Sequence, residues 1–229
     1  MLAFYFILAA IGGYLLGSVP FGLVLTRWAG LGDIREIGSG NIGATNVLRT
    51  GRKDLALATL LLDAGKAGIA LIVARALAGQ SDFRIEIGLV AGAAAFIGHC
   101  YPIWLQFRGG KGVATFFGVL FAGAWPLGMV AGITWLGIAT IFRISSLAAL
   151  CAAAATPIMG LIAGFSWAEI TFTALLAALI FWRHRANIVR LRAGTEPRFG
   201  DKKPDVSPPV EPAPEPASAA PAPPPPAES

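Results

Sequence analysis

The sequence has few charged residues and only two cysteines, and each shortage excludes a class of protein. Charged residues make up 14% of the 229 residues and hydrophobic residues 55%, whereas an ordinary soluble domain has roughly 25% charged residues. The mean hydropathy of +0.67 leaves too little polar surface to cover a water-facing globule. Cys100 and Cys151 lack the spacing of a disulfide framework or a metal site. The composition therefore predicts an integral membrane protein.

The net charge of +5 would suggest nucleic-acid binding in a soluble chain, but here the basic residues border apolar runs, so we expect no nucleic-acid partner. Residues 200–229 contain eleven of the sixteen prolines and no aromatic residue. Such a segment cannot bury enough apolar area to order itself. We therefore expect an integral membrane domain over residues 1–199 and a disordered, Pro/Ala-rich cytoplasmic tail over residues 200–229.

Seven apolar runs are candidates for membrane helices when tilted and short helices are allowed. They are residues 2–26, 54–78, 85–104, 112–124, 126–142, 145–164 and 167–182. The weakest division lies between Trp125 and Pro126. If residues 112–142 formed one long helix instead, the count would fall to six. With the N-terminus outside, seven crossings place thirteen basic residues of residues 1–199 in the cytoplasm and only Arg75 and Arg84 opposite. The sequence thus predicts an all-α bundle of seven transmembrane helices with a cytoplasmic C-terminus.

The first glycine loop, residues 38–49, reads GSGNIGATNVLR and lies between the first two apolar runs. Its G-x-G-x-x-G pattern is not a dinucleotide site, because no strand precedes it and no βαβ unit fits a bundle of apolar helices. Glycines let backbone N–H groups converge on an anion. Short polar side chains can add donors, namely those of Ser39, Asn41, Thr45 and Asn46. A helix beginning near Ala44 would place Thr45 and Arg49 on one face and offer its first amides to a phosphate. A plain interfacial turn whose asparagines cap helices remains an alternative.

The second glycine loop, residues 108–112, has the sequence RGGKG and precedes another apolar helix. It is not a Walker A loop, because Gly112 rather than Ser or Thr follows Lys111. Arg108 and Lys111 between glycines predict a second anion site. Both charges could instead serve only to set the membrane topology, although that role does not require the glycines.

A third polar segment follows the last apolar run. His184 and Asn187 lie three residues apart, so they share a helical face that Arg190 continues. Anionic lipid headgroups are an alternative reason for the arginines here, but they do not account for His184 and Asn187.

Asp63, Lys66 and His99 lie within the apolar runs themselves. Asp63 and Lys66 are one helical turn apart and need partners at that depth, so a structural ion pair and direct substrate contact are both open. His99 and Cys100 are adjacent and point about 100° apart on a helix, which disfavours a Cys–His nucleophile. We expect His99 to pack and to hydrogen-bond a neighbouring loop.

Four segments in this order, GSGNIGATNVLR, LLDAGKAG, GHCYPIWLQFRGGKGVAT and HRANIVRLRAGTE, resemble the bacterial PlsY family of membrane acyl-phosphate:glycerol 3-phosphate acyltransferases. The resemblance spans roughly residues 10–197. Two positions depart from the family pattern. Ile42 stands where proline often occurs, and Ala67 separates Lys66 from the following glycine.

The resemblance implies transfer of a fatty acyl group from acyl phosphate to the 1-hydroxyl of glycerol 3-phosphate, giving lysophosphatidic acid and phosphate in phospholipid biosynthesis. It implies no metal or other cofactor, and a multi-pass protein of the bacterial inner membrane with its active site at the cytoplasmic face. An acyl phosphate is already activated, so orientation and charge neutralisation suffice without a covalent acyl-enzyme.

The site residues that we expect on this basis fall into four groups. Ser39, Lys111 and His184 are the catalytic candidates. The acyl phosphate is assigned to Ser39, Gly40, Thr45, Asn46, Gly110 and Lys111. Glycerol 3-phosphate is assigned to Arg49, Arg108, His184 and Asn187. We expect the fourth group to contact the substrate-binding residues rather than the substrates; it consists of Asn41, Asp63, Lys66 and His99.

A transporter of an organic phosphate is the competing hypothesis. The two halves of the chain show no repeat, and the polar motifs collect at one side rather than at the midplane, where transporters bind their substrates. A lipid-binding scaffold would use the arginines but leave the glycine loops unexplained.

Overall fold

The structure is a computed structural model that describes residues 1–201, and within this range it contains helices and no strand. The α-helices are α1 (Leu2–Gly17), α2 (Phe21–Trp28), α3 (Ala44–Leu48), α4 (Lys53–Leu77), α5 (Arg84–Cys100), α6 (Val113–Gly123), α7 (Trp125–Phe142), α8 (Ser145–Ile162), α9 (Trp167–Arg183) and α10 (Arg185–Arg192). Short 3-10 helices cover Ile34–Glu36 and Ile103–Leu105. The predicted all-α class is confirmed. The predicted tail lies outside the described residues except for Gly200 and Asp201.

Five segments are long and apolar enough to cross a membrane. They are Leu2–Trp28, Lys53–Leu77, Arg84–Leu105, Trp125–Phe142 and Ser145–Ile162. The two other predicted spans are helical but shorter, since α6 has 11 residues and α9 has 17. At 1.5 Å per residue, α6 is only about 17 Å long. Five candidate spans support a multi-pass membrane protein, whereas seven crossings and the orientation of the termini stay predictions.

Two helix boundaries test the predicted segmentation directly. The division before Pro126 is confirmed, because Ala124 has φ −150° and separates α6 from α7, with the proline at the start of α7. The predicted run over residues 2–26 lies in one candidate span, Leu2–Trp28, but it is not one continuous helix, because the chain breaks between Gly17 and Phe21. Pro20 has no N–H to continue a helix, and the break exposes the carbonyl oxygen of Val19 to the side chain of Lys66, 2.8 Å away.

Small residues bring the central helices into direct backbone contact. A Cβ on Gly17 of α1 would clash with the backbone of Ala95 on α5, and a Cβ on Gly118 of α6 would clash with that of Ala64 on α4. Close approach through small residues is the usual way in which membrane helices pack. Large apolar side chains on the outer faces, such as Ile69, Ile133 and Leu175, remain exposed, as suits contact with lipid. These helices form the frame that carries the polar loops.

Candidate active site

The polar segments meet around one cavity of about 720 Å³. Its polar lining comes from the first glycine loop, from Lys111, from the start of α8 and from α10. Its apolar lining comes from the faces of α4, α6 and α7, with Leu60, Leu61, Phe117, Phe121 and Trp135. One cavity therefore combines a cationic, hydrogen-bonding end with an apolar wall.

The first glycine loop is held by one buried amide side chain. Asn46 is 1% exposed, and its Nδ2 donates to the carbonyl oxygens of Ile34 and Ile37 at 2.7 and 3.0 Å. Its Oδ1 accepts from the backbone N and the hydroxyl of Ser39 at 3.1 and 3.3 Å. The helix that we expected near Ala44 is present as α3. Asn46 therefore fixes the loop, and its amide has no further donor for a substrate.

Gly38 allows this loop to close on itself. Its φ is +59°, and a Cβ there would stand 2.7 Å from Asn46 Oδ1 and 2.8 Å from the Cδ of Arg49. Both the backbone conformation and the lack of space require glycine. As a result, the side chain of Arg49 lies against the loop and lines the cavity beside Ser39 and Thr45.

The second glycine loop is held from outside by distant parts of the chain. Gly109 N donates to the carbonyl oxygen of Cys100 at 3.2 Å. The guanidinium of Arg183 donates to the carbonyl oxygens of Gly109 and Gly110, at 2.8 and 3.0 Å. Gly112 has φ +81°, and a Cβ there would clash with the ring of Phe96. These contacts fix the backbone on both sides of Lys111.

A hydrogen-bonded network joins Lys111 to α10. The Nζ of Lys111 donates to Asn187 Oδ1 at 2.5 Å, and Asn187 Nδ2 donates to the carboxylate of Glu196. That carboxylate also accepts from Ser146 Oγ and from Arg190 Nε, each at 2.7 Å. The side chain of Glu196 is 7% exposed. Glu196 thus holds together three segments that line the cavity.

Burial and neighbouring charges shift the pKa values of this network. Burial lowers the pKa of Lys111 to about 8, and the nearby Arg190 and Arg49 act in the same direction while Glu196 opposes them. Burial acts to raise the pKa of Glu196, but hydrogen bonds from Ser146, Asn187 and Arg190 outweigh it, and the pKa is lowered. At neutral pH, Lys111 is therefore mostly charged and Glu196 is ionised.

His184 lies between α9 and α10 and faces the same cavity. Its Nδ1 is 2.8 Å from the carbonyl oxygen of Ile180. A carbonyl oxygen can only accept, so Nδ1 carries the proton and Nε2 keeps a lone pair. Burial and the charge of Lys111 lower the pKa of His184 to about 4. The imidazole is therefore neutral at pH 7 and can accept a proton.

A second polar cluster lies where α4 and α5 meet the cavity. The Nζ of Lys66 is 2.7 Å from Asp63 Oδ1 and 3.0 Å from His99 Nδ1. All three residues are at most 4% exposed. Asp63 and His99 line the cavity, whereas Lys66 does not. The ion pair between Asp63 and Lys66, one of the two alternatives that the sequence left open, is present.

The structure brings most of the expected site residues together. Ser39, Asn41, Thr45, Asn46, Arg49, Asp63, His99, Lys111, His184 and Asn187 line the cavity. Gly110 and Lys66 are buried and Gly40 is exposed, and none of the three lines the cavity. Arg108 is exposed and lies outside the lining, because it precedes the turn at Gly109 that directs the chain into the bundle.

Sequence reasoning missed three residues of the site. Glu196 and Ser146 complete the network around Asn187, and Arg183 holds the second glycine loop. A signal existed for Glu196, which is the single acidic residue between positions 170 and 199. No local pattern distinguishes Arg183 from the arginines around it, because its partners are 73 and 74 positions away.

Comparisons with known proteins identify the family of the chain. Residues 7–194 match the family model described as glycerol-3-phosphate acyltransferase. The chain belongs to the glycerol-3-phosphate acyltransferase family. Its similar relatives include glycerol-3-phosphate acyltransferases from Maricaulis maris, 62% identical and covering 87% of this chain and 89% of the relative, and from Caulobacter vibrioides, 55% identical and covering 90% and 94%.

Two solved structures of the family share the fold. A crystal structure of PlsY, an integral membrane glycerol 3-phosphate acyltransferase, in its glycerol 3-phosphate form superposes with a TM-score of 0.79 at 38% identity, covering 85% of this chain and 96% of that one. The lysophosphatidic acid form gives a TM-score of 0.77 at 36% identity, covering 85% and 95%. The sequence resemblance to the PlsY family is confirmed.

Proposed function

We propose that the protein transfers a fatty acyl group from acyl phosphate to the 1-hydroxyl of glycerol 3-phosphate, giving lysophosphatidic acid and inorganic phosphate. The observation that carries this proposal is the single cavity in which a cationic end adjoins an apolar wall. Glycerol 3-phosphate is the ligand of one crystal structure of the family, and lysophosphatidic acid is that of the other.

The cationic end can hold two phosphate groups. Lys111, Arg49 and Arg190 all line the cavity, and Ser39 and Thr45 add hydroxyl donors. We assign the acyl phosphate to Ser39, Thr45 and Lys111, and glycerol 3-phosphate to Arg49, His184 and Asn187. Asn46, Gly40 and Gly110 then shape the glycine loops, and Arg108 has no part in the site.

The apolar wall suits the fatty chain. Leu60 and Leu61 of α4 and Phe117 and Phe121 of α6 line the part of the cavity beside these helices. Residues 57, 60, 61 and 62 of α4 are also large, apolar and exposed on the outer surface. An acyl chain could thus lie along α4 and α6 while its phosphate stays at the polar end.

The reaction needs positioned charge rather than a protein nucleophile. The 1-hydroxyl oxygen attacks the acyl carbonyl carbon and forms a new C–O bond, while the bond from that carbon to the phosphate oxygen breaks and phosphate leaves with its electron pair. Lys111 and Ser39 can stabilise the negative charge that develops on the leaving group, which is the usual role of preorganised donors.

His184 is the group best placed to take the hydroxyl proton. Its Nε2 carries the lone pair, and its pKa of about 4 would rise beside two phosphate dianions, toward the range in which general bases work. If it is the base, His184→Gln should lower kcat by about 10²- to 10⁴-fold. A change in KM alone would assign His184 to binding and leave the proton to a substrate phosphate oxygen.

The position of the cavity in the membrane is part of the proposal. The excess of basic residues on this side favours the cytoplasmic face of the bacterial inner membrane, with the N-terminus outside. Single cysteines placed at residues 39, 111 and 190, which line the cavity and are not buried, in a variant that lacks Cys100 and Cys151, should react with an impermeant reagent from one and the same side. Reaction from different sides would contradict the site.

The decisive experiment uses purified protein in lipid vesicles with palmitoyl phosphate and glycerol 3-phosphate. We expect esterified product from palmitoyl phosphate and none from palmitoyl-CoA or palmitoyl-acyl carrier protein. Lys111→Met should lower kcat/KM by about 10²- to 10³-fold, as loss of a charge-stabilising donor does. Arg108→Met is the matched control, because this cation lies outside the cavity.

Other outcomes would reject the proposal. Flux of glycerol 3-phosphate across the vesicles without esterification would indicate a transporter. Esterification from palmitoyl-CoA but not from palmitoyl phosphate would show that acyl-CoA, and not acyl phosphate, is the acyl donor.

A further inference from the structure

Three acceptor atoms surround the ammonium of Lys66. They are Asp63 Oδ1 at 2.7 Å, the carbonyl oxygen of Val19 at 2.8 Å and His99 Nδ1 at 3.0 Å. The side chain of Lys66 is 1% exposed, so water does not compete for its protons. Each N–H of the ammonium therefore has one partner, and the three bonds join α4, α5 and the break between α1 and α2.

The donor count assigns the tautomer of His99. A carboxylate oxygen and a carbonyl oxygen only accept, and an ammonium only donates. Nδ1 of His99 is 3.0 Å from Lys66 Nζ and 3.5 Å from Asp63 Oδ1, so its shorter contact is with the ammonium, and toward that donor the ring nitrogen must offer a lone pair. Nδ1 of His99 is unprotonated in this arrangement, and the neutral imidazole carries its proton on Nε2.

The Nε2 of His99 faces Gly110 of the second glycine loop. His99 lines the cavity, and a Cβ on Gly110 would clash with this nitrogen. The glycine leaves room for an N–H at that point, directly before Lys111 in the chain. Among residues 1–201, Nε2 has no hydrogen-bond partner, although the side chain is only 4% exposed.

The two histidines of the chain thus present opposite chemistry to one cavity. His184 bonds a carbonyl oxygen through Nδ1–H and turns a lone pair inward, which suits proton acceptance. His99 accepts a hydrogen bond from Lys66 at Nδ1 and keeps an N–H on Nε2, next to Gly110, which suits donation to an anion.

We propose that His99 donates its Nε2–H to a phosphate oxygen of the acyl phosphate, and that Lys66 acts as a positioning residue that fixes the required tautomer. This inference rests on the proposed function. The charges of Asp63 and Lys66 cancel, so the donor stabilises charge on the leaving phosphate without adding a net positive charge that would retain it.

The tautomer can be tested without any activity measurement. Because the chain has two histidines, protein labelled with ¹⁵N-histidine in detergent or lipid gives four ring-nitrogen signals, and His184→Gln assigns them. We expect His99 to carry its proton on Nε2 and His184 on Nδ1. Lys66→Met should release His99 to a mixture of tautomers. A proton on Nδ1 of His99 in the unaltered protein would overturn the inference.

The substrate contact is tested with His99→Phe and His99→Gln. Phenylalanine cannot donate, and we expect kcat/KM for palmitoyl phosphate to fall by about 10- to 100-fold, the range for a hydrogen bond to a charged group, with the KM for glycerol 3-phosphate unchanged. Glutamine has an amide donor of similar reach and should restore most of this loss. Equal losses in both variants, or no loss in either, would overturn the proposal.

The two proposals fail differently. If the unaltered protein makes no product from palmitoyl phosphate, the proposed function fails. If it makes product while His99→Phe behaves like the unaltered protein, only the role of His99 fails.

Discussion

The two glycine loops serve the same cavity but are held in opposite ways. The first is fixed from within, because Asn46 lies inside residues 38–49 and bonds backbone groups no more than 12 positions away. The second is fixed from outside by Arg183, Phe96 and the backbone next to His99. Local bonding makes the first loop a self-contained unit, whereas the second takes its shape only after α5 and α9 have packed.

The largest effect should come from the internal support of the first loop. Asn46→Asp replaces a donor to two carbonyl oxygens by a buried carboxylate that can donate to neither, and leaving a buried polar group unpaired costs about 1–3 kcal/mol. We expect the free energy of unfolding to fall by about 3 kcal/mol or more, and activity to be lost with it. Thermal unfolding in detergent measures this change.

Asn41→Asp is the matched control, because Asn41 Oδ1 only accepts from Ile42 N and a carboxylate can still do so. Equal destabilisation by the two substitutions would show that Asn46 does not hold the loop.

For the second loop, which is held from outside, we expect the loss of one supporting side chain to have a smaller effect than the loss of Asn46 has on the first loop. Arg183→Met removes the donors to Gly109 and Gly110, so Lys111 loses its fixed position. We expect kcat/KM to fall by about 10-fold or more, the size of a hydrogen bond from a charged group, with a smaller loss of stability than for Asn46→Asp. Steady-state kinetics and thermal unfolding of the same preparation compare the two loops.

Arg185→Met serves as the control, since Arg185 lies over the exposed Trp182 ring, 5.0 Å from its centroid, and bonds neither loop. Activity unchanged in Arg183→Met would contradict the external support.

A smaller effect should appear in the dependence of activity on pH. Lys111 has a pKa lowered to about 8, so its charged form exists below pH 8 and is lost as the pH rises through that value. We expect kcat/KM, which reports the free enzyme, to decline above about pH 8. Lys111→Arg keeps its charge at all accessible pH values, so this decline should be absent from its residual activity. A decline at the same pH in both proteins would assign it to another group.

The smallest effect should come from the chain beyond the described residues. A protein that ends at Asp201 keeps Glu196 and both loops, so we expect its kcat/KM to match that of the full chain within about twofold, because the Pro/Ala-rich composition of the tail predicts no ordered part in a site. A protein that ends at Arg192 also lacks Glu196 and should lose most activity. Esterification assays on the two proteins decide whether the tail takes part.

Several features of the fold and site were open to prediction from sequence, because local physics determines them. The helix beginning at Ala44 and the shared face of His184 and Asn187 follow from helical spacing, and the division before Pro126 follows from the chemistry of proline. The break at Pro20 carried the same signal but was missed, because the apolar run continues through it.

Other features depend on tertiary packing and left no local trace. Arg108 and Arg183 are both arginines beside a membrane helix, and only the packing of α9 against the second glycine loop turns Arg183 inward and leaves Arg108 exposed. The amide of Asn46 has the same chemistry whether it meets a substrate or the backbone of its own loop. Sequence could therefore name the residue but could not decide its partner.

The carboxylate of Glu196 has a consequence for turnover. Glu196 accepts a hydrogen bond from Arg190 and is linked to Lys111 through Asn187. An incoming phosphate dianion must therefore compete with this carboxylate for the two cations. In the proposed reaction, a pocket with positive charge alone would hold the phosphate product and slow each cycle. With Glu196 in place, the cations have an alternative partner, so we expect faster release of the phosphate.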